Sequence, residues 1–235
     1  NGVVVITTKR GRSGTNGNII ARAQYGISKL AYGKWDLMNT TERLDYEEEI
    51  NPDKVGTHDR DLLERTNIDS RDVVYNDAAP FTSVDLQASG ATQGGFNYYV
   101  SGNIHSQKGI ALSSDYKRYT LRANLEAKVN NWFKVGTNAS FAYEDMTEGV
   151  DGDYHTVTPI SASRFMLPYW SPYSATGGIA NVNDGTWLGT NVNPVEYQNN
   201  NPSDKNRWKV IASAYGEFHP ISGLTIKTLG GVDFL

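Results

Sequence analysis

The chain has 235 residues, a formal net charge of −4 and no cysteine. That length allows one or two domains with a proper core, and the mildly acidic balance, without a basic tract, argues against nucleic-acid binding. Disulfides, thiol chemistry and Cys-ligated zinc are excluded within the chain, and no run approaches the roughly 18 consecutive apolar residues of a transmembrane helix.

The chain opens at Asn1-Gly2 without an initiator Met or a signal peptide and stops at Leu235 in a strand-like pattern, so it reads as a piece of a longer protein. Val3 to Ile6 are continuously apolar and β-branched, the pattern of a strand buried on both faces in a globular core. Arg12 to Asn18 is a Gly/Ser/Asn linker. Period-2 alternation then begins. Ile19, Ala21, Ala23, Tyr25 and Ile27 share one face and Ile20, Arg22 and Gln24 the other, which predicts a first wall strand.

A long insertion follows, from about Leu30 to Thr82. Asn39 with Glu42 three residues on predicts a capping box. It opens a helix through Leu44, Tyr46 and Ile50 that ends at Pro52. A second short helix is expected over Asp59 to Thr66, and the acidic residues that dominate both predict solvated loop helices. Strand 2 sets Val84, Leu86 and Ala88 against Asp85, Gln87 and Ser89. A short Gly-bearing connection, Ala91 to Gly95, leads to strand 3, with Phe96, Tyr98, Val100, Gly102 and Ile104 on one face.

Strands 4 and 5 carry the clearest pattern. Tyr119, Leu121, Ala123, Leu125, Ala127 and Val129 alternate with Arg118, Thr120, Arg122, Asn124, Glu126 and Lys128. After Asn130-Asn131, a pair that suits a two-residue turn, Phe133, Val135, Thr137, Ala139, Phe141 and Tyr143 continue the apolar face. Each run alternates for about 11 residues, the length of a tilted transmembrane β-strand rather than the usual 5–6. Aromatics lie near the ends of the apolar face and small aliphatics in its middle, as in an outer-membrane barrel wall.

Met146 to Asp204 form a second long insertion, with a short helix expected over Thr158 to Leu167 and Pro159 near its start. Strand 6 places Trp208, Val210, Ala212, Ala214, Gly216 and Phe218 opposite Arg207, Lys209, Ser213, Tyr215 and Glu217. The turn His219 to Gly223 leads into strand 7, from Leu224 to Phe234. Between strands 1 and 7 the connections alternate long and short. Outer-membrane barrels keep tight turns on the periplasmic side and long loops outside, so strand 1 rises from the periplasm.

No catalytic constellation is present. His58, His105, His155 and His219 are widely separated, and no HExxH, GxSxG, P-loop or GxGxxG occurs. Asp151-Gly152-Asp153 and Asn181 to Gly185 are oxygen-rich but lack the spacing and distal Glu of an EF-hand. The chain is not read as an enzyme, and neither a metal nor a cofactor is expected. Tyr169, Trp170, Tyr173 and Trp187, with Asn183 and Asp184 nearby, form the candidate ligand site. Aromatic faces stack on sugar C–H surfaces and the polar groups take hydroxyls. The other reading is that these rings pack the loop onto itself or onto a partner. The polar-face charges Arg118, Arg122, Lys128, Lys134, Arg207 and Lys209, with Glu126, Glu144 and Glu217, predict salt bridges between the wall and an internal domain.

The opening NGVVVITTKRG resembles the end of the plug domain in SusC/RagA-like TonB-linked outer-membrane proteins. Further similarity lies in Met38-Asn39-Thr40, Tyr98 to Gly109, Tyr116 to Tyr119, Asn131 to Gly136, Asn193-Pro194 and Pro220 to Leu224. The resemblance implies an all-β fold, the antiparallel up-and-down wall of a 22-stranded plugged transmembrane barrel. About seven strands of it are represented here, with short helices on the long extracellular loops. It divides the chain into 1–18, plug end and linker, and 19–235, barrel strands 1–7. It implies TonB-energised import of an oligosaccharide or peptide. The implied partners are a SusD-like surface lipoprotein, the TonB complex (through a segment upstream) and outer-membrane lipid. A siderophore receptor of the broader TonB class, or a soluble secreted glycan-binding β-domain, are the alternative readings.

Overall fold

The structure, a computed structural model, describes residues 17–31, 33, 36–57, 59–149, 157–189 and 192–235. The expected plug strand, most of the 1–18 segment, His58, His155 and Asp151-Gly152-Asp153 lie outside the described residues. Seven strands form one antiparallel sheet in strict chain order: β1 (Asn18–Ser28), β2 (Ala79–Ala91), β3 (Phe96–Lys108), β4 (Asp115–Lys128), β5 (Phe133–Glu148), β6 (Ser203–Phe218) and β7 (Ile226–Phe234). Every strand the alternation predicts is present. β2 begins five residues earlier than Val84, because Ala79 to Ser83 continue the ladder against Gln24 to Ser28. β1 and β7 each pair on one side only, so the sheet is open.

The register aligns the alternation across all seven strands. One lateral row reads Ile19, Ala88, Val100, Ala123, Ala139, Ala212 and Val232; another reads Ala23, Val84, Ile104, Tyr119, Tyr143 and Trp208. A one-residue slip would send every side chain to the other face, so this agreement fixes the register. The apolar face is bare: Ile19 is 75 % exposed, Leu121 60 % and Trp208 53 %. So continuous an apolar surface marks an interaction surface, here one suited to lipid.

Aromatics collect at both ends of this face. Trp132, Phe133 and Phe218 cluster at the short-turn end, with ring centroids 4.7–6.0 Å apart. Tyr119, Tyr143 and Trp208 cluster at the long-loop end, with Tyr143 and Trp208 4.5 Å apart. From Phe133 to Tyr143 β5 advances about 34 Å, and a tilt near 40° reduces this to about 25 Å, the height of the apolar band in outer-membrane barrels.

The opposite face is polar, and several of its charges pair within the wall. Lys134 Nζ lies 3.4 Å from Glu217 and 3.7 Å from Glu126, and Arg207 lies 3.6 Å from Glu144. These cross-strand pairs occupy Lys134, Arg207, Glu126, Glu144 and Glu217, five of the nine charges expected to bridge to an internal domain. Gly136 is required here by close approach. Tyr215 lies opposite it, and a Cβ on Gly136 would sit 2.4 Å from the Tyr215 ring.

The turns differ in detail from expectation. The β4–β5 connection is not a two-residue Asn-Asn turn. It spans 129–132, neither Asn takes positive φ, and Asn130 Oδ1 accepts from Trp132 N at 3.0 Å. An Asx turn satisfies the backbone without the left-handed conformation. In the 92–95 turn Gly95 does adopt φ +80. Adjacent turns are joined: Lys128 N donates to Gly95 O at 3.0 Å, and His219 N donates to Trp132 O at 2.7 Å.

Candidate functional site

At the opposite end of the strands the two insertions fold together. The first carries α1 (Thr40–Ile50), a 3-10 turn (Pro52–Lys54), α2 (Arg60–Leu63) and α3 (Ser70–Val74); the second carries α4 (Pro159–Phe165) and α5 (Pro194–Asn200). The capping box forms as expected, with Glu42 N donating to Asn39 Oδ1 and Asn39 N to Glu42 Oε2, both at 2.9 Å. Thr158 Oγ1 accepts from Ser161 N at the start of α4. The 3-10 turn, α3 and α5 are additions to the predicted set, too short to leave a periodic signal.

α1 is not a wholly solvated helix. Leu44 is fully buried in an apolar cluster with Met166, Tyr169, Trp170, Ala180 and Trp187, all from the second insertion. Tyr169 OH donates to both Glu47 oxygens at 3.1 and 3.2 Å, and Arg43 Nε donates to the same carboxylate at 2.6 Å. Burial, reinforced by Glu47, raises the Tyr169 phenol above its ordinary range, so it stays a donor. Ile68 N donates to Pro168 O at 2.8 Å and Ser70 Oγ to Ser163 O at 3.0 Å. The β3–β4 connection joins the same body: Asn76 N donates to Ile110 O and Leu112 N to Val74 O. Two insertions distant in sequence thus make one cap.

The six predicted site residues divide into two groups. Tyr169, Trp170 and Trp187 are 6 %, 9 % and 5 % exposed and pack edge-on in the cap core, with Trp170 and Trp187 centroids 6.0 Å apart. They are the pillars of the loop. Tyr173 remains 48 % exposed. Asn183 and Asp184 lie in a polar turn, where Asn183 N donates to Asn181 Oδ1 at 2.7 Å and Asp184 Oδ1 accepts from Thr186 N at 3.0 Å. Hydrogen bonds from Thr186 hold the Asp184 carboxyl below the usual carboxylate range. Asn181 Oδ1 and Asp184 Oδ1 are therefore engaged in the turn itself.

Two buried amides escaped the sequence reading. Asn193, fully buried, donates to Pro172 O and Ala180 O, both at 2.8 Å, while its Oδ1 accepts from Val195 N. Gln198 Nε2 donates to Val157 O. In the sequence Asn193-Pro194 carried only the family resemblance. Nothing in the sequence pairs Asn193 with carbonyls 13 and 21 residues away.

Between the cap and the upper ends of β3–β5 lies a cavity of about 700 Å³. Leu112, Met146, Pro159 and Ile160 give it apolar walls; Gln107, Tyr116, Glu148 and Ser161 give it polar ones. Tyr116 OH donates to Glu144 at 3.0 Å, and the Tyr116, His105 and Phe81 rings follow one another at 6.1 and 6.3 Å along the polar face. This volume lies within the range of organic ligand sites. The groups that line it are hydrogen-bonding and apolar, an arrangement that can bind an organic solute.

No family model matches the chain. It is 25 % identical over 236 residues to TonB-dependent receptor P3 of Formosa agariphila, covering 98 % of this chain and 22 % of that protein. It is also 25 % identical over 237 residues to TonB-dependent receptor SusC of Bacteroides thetaiotaomicron, covering 97 % and 21 %. The chain therefore spans less than a quarter of the length of these relatives. Among solved structures, the RagAB peptide importer in its closed-closed state superimposes with a TM-score of 0.76 at 25 % identity, over 96 % of this chain and 29 % of that one. The open-open state gives 0.75, again at 25 % identity. These relatives are receptors and an importer, not enzymes. The apolar and polar faces, the alternating connections and these likenesses agree: the chain resembles a barrel-wall segment of SusC/RagA-like TonB-dependent receptors.

Proposed function

We propose that the chain belongs to an outer-membrane transporter that uses TonB-derived energy to import an oligosaccharide or peptide, working with a SusD-like surface lipoprotein. Residues 1–18 are the end of the plug and 19–235 the first seven barrel strands. The observation that carries this reading is the wall itself: seven up-and-down strands with a bare apolar face about 25 Å high, matching the RagAB importer over 96 % of the chain. A bilayer leaves no water for the open β1 and β7 edges, so a membrane-embedded wall needs neighbouring strands on both sides.

The cavity beneath the cap weighs toward peptide. Its apolar walls are aliphatic and thioether, Tyr116 is the one aromatic among the described residues that line it, and the indoles that would stack on sugars are committed to the cap core. Ligand contact by the loop then rests with Tyr173, Asn183 and Asp184 at its surface. The test is uptake by cells carrying the whole protein, with labelled peptides and oligosaccharides, with and without TonB and the neighbouring lipoprotein. TonB-dependent peptide uptake is the expected result. Oligosaccharide uptake alone would reverse the substrate choice, and a soluble protein with no membrane-bound form would overturn the transporter reading.

A further inference from the structure

We infer that the wall carries a binding site for the phosphate of an outer-leaflet lipid, formed by Lys108 and Lys117 with the Thr82 and Ser106 hydroxyls; the inference rests on the membrane reading above. Thr82, Ser106 and Lys117 are consecutive members of one lateral row on β2, β3 and β4, on the same face as Val84, Ile104 and Tyr119. Lys108 stands opposite Asp115 in the next row up. Together these residues line a concavity of about 230 Å³.

The height of the row identifies its occupant. Lys117 is two residues beyond Tyr119, a member of the upper aromatic cluster. Two residues advance about 7 Å along the strand, or about 5 Å toward water after the tilt of a barrel wall. That places the site just outside the hydrocarbon, in the headgroup layer about 5–7 Å deep. Whatever fills the concavity is continuous with the lipid against the apolar face below it.

The charges fit an anion. Two ammonium groups and one carboxylate, Asp115, line the concavity; a second carboxylate, Asp145, stands opposite Lys117 on β5 outside that lining, and among the described residues neither lysine is held in an ion pair. Two hydroxyls stand ready to donate to phosphate oxygens. A small lined hollow selects a compact headgroup group such as a phosphomonoester.

The experiment uses the whole protein, purified from outer membranes in detergent, as wild type, the Lys108→Gln/Lys117→Gln double variant and Lys117→Gln alone. Native mass spectrometry measures binding of phosphorylated lipid A and of the same lipid dephosphorylated, with inorganic phosphate as competitor. Each lysine lost should weaken the phosphorylated lipid about fivefold, and both about 25-fold, with little change for the dephosphorylated form. Unchanged affinity in the double variant would overturn the inference, as would competition by inorganic phosphate at the lipid's own concentration. Heat-modifiable migration is recorded for every sample. Its absence in the wild type would sink the membrane reading itself; its loss in the double variant alone transfers the test to Lys117→Gln.

Discussion

Leu44→Ala tests whether the two insertions are one body. Leu44 is fully buried where α1 meets Met166, Tyr169, Trp170 and Trp187. Truncation removes three carbons from a packed site, and such changes cost about 2.7–5 kcal/mol where the surroundings collapse little. At 1.4 kcal/mol per decade, opening of the cap should become about 100- to 4,000-fold more frequent. Hydrogen exchange on the whole protein reads this amide by amide. The Ile68 and Ala162 amides, bonded to Pro168 O and Thr158 O, should both exchange faster, while the ladder from β3 to β5 keeps its protection. Acceleration of α1 alone, with 157–189 unchanged, would refute the single-body cap and return α1 to a solvated loop helix.

Gly136→Ala should displace the Tyr215 ring, 6 % exposed, from its seat against the backbone. Overpacking of this kind costs about 1–3 kcal/mol, read as a lower temperature for loss of the heat-resistant folded band; an unchanged temperature would show that the ring has room to move. Tyr169→Phe leaves Glu47 without its phenol donor and should destabilise the cap by about 1–3 kcal/mol in hydrogen exchange. The same phenol has a raised folded pKa. Its stabilisation is therefore complete below the unfolded value near 10 and is lost as pH rises beyond it. Cap exchange should accelerate in alkali above about pH 10 in the wild type and less so in Tyr169→Phe; equal alkaline profiles would dismiss the assignment. Asn193→Ala strands two buried carbonyls and should raise protease cleavage within 172–193 well before any effect on the wall, whereas an unaltered digest would show water replacing the amide.

The wall was legible because a pleated ladder writes itself locally. Alternation at Tyr119 to Val129 and Phe133 to Tyr143 is a period-2 signal that needs no knowledge of partners, and consecutive hairpins then dictate the order observed. The capping box at Asn39 is equally local. The cap was not legible. Its contacts join Leu44 to Trp170 and Glu47 to Tyr169, 122 residues apart, and nothing in either insertion states that the other will cover it. The aromatic run Tyr169, Trp170 and Trp187 consequently admitted two readings, ligand platform or loop core. Burial assigns those three to the core and leaves Tyr173 to the surface. The Asn130-Asn131 turn was correctly placed but wrongly built, because an Asn side chain closes a turn as readily as an Asn backbone at positive φ.

The separation of those cap contacts also orders events in time. Each wall strand pairs only with its neighbours in sequence, so hairpins can zip as soon as their own turn closes, at low loop-closure cost. The cap has no such freedom. Its first half waits through four more strands for the residues that bury it. A folded cap is thus a late event and a certificate that the intervening wall has been laid in register. A conformational antibody against the joined surface of the two insertions would count finished molecules and ignore those stalled on the way.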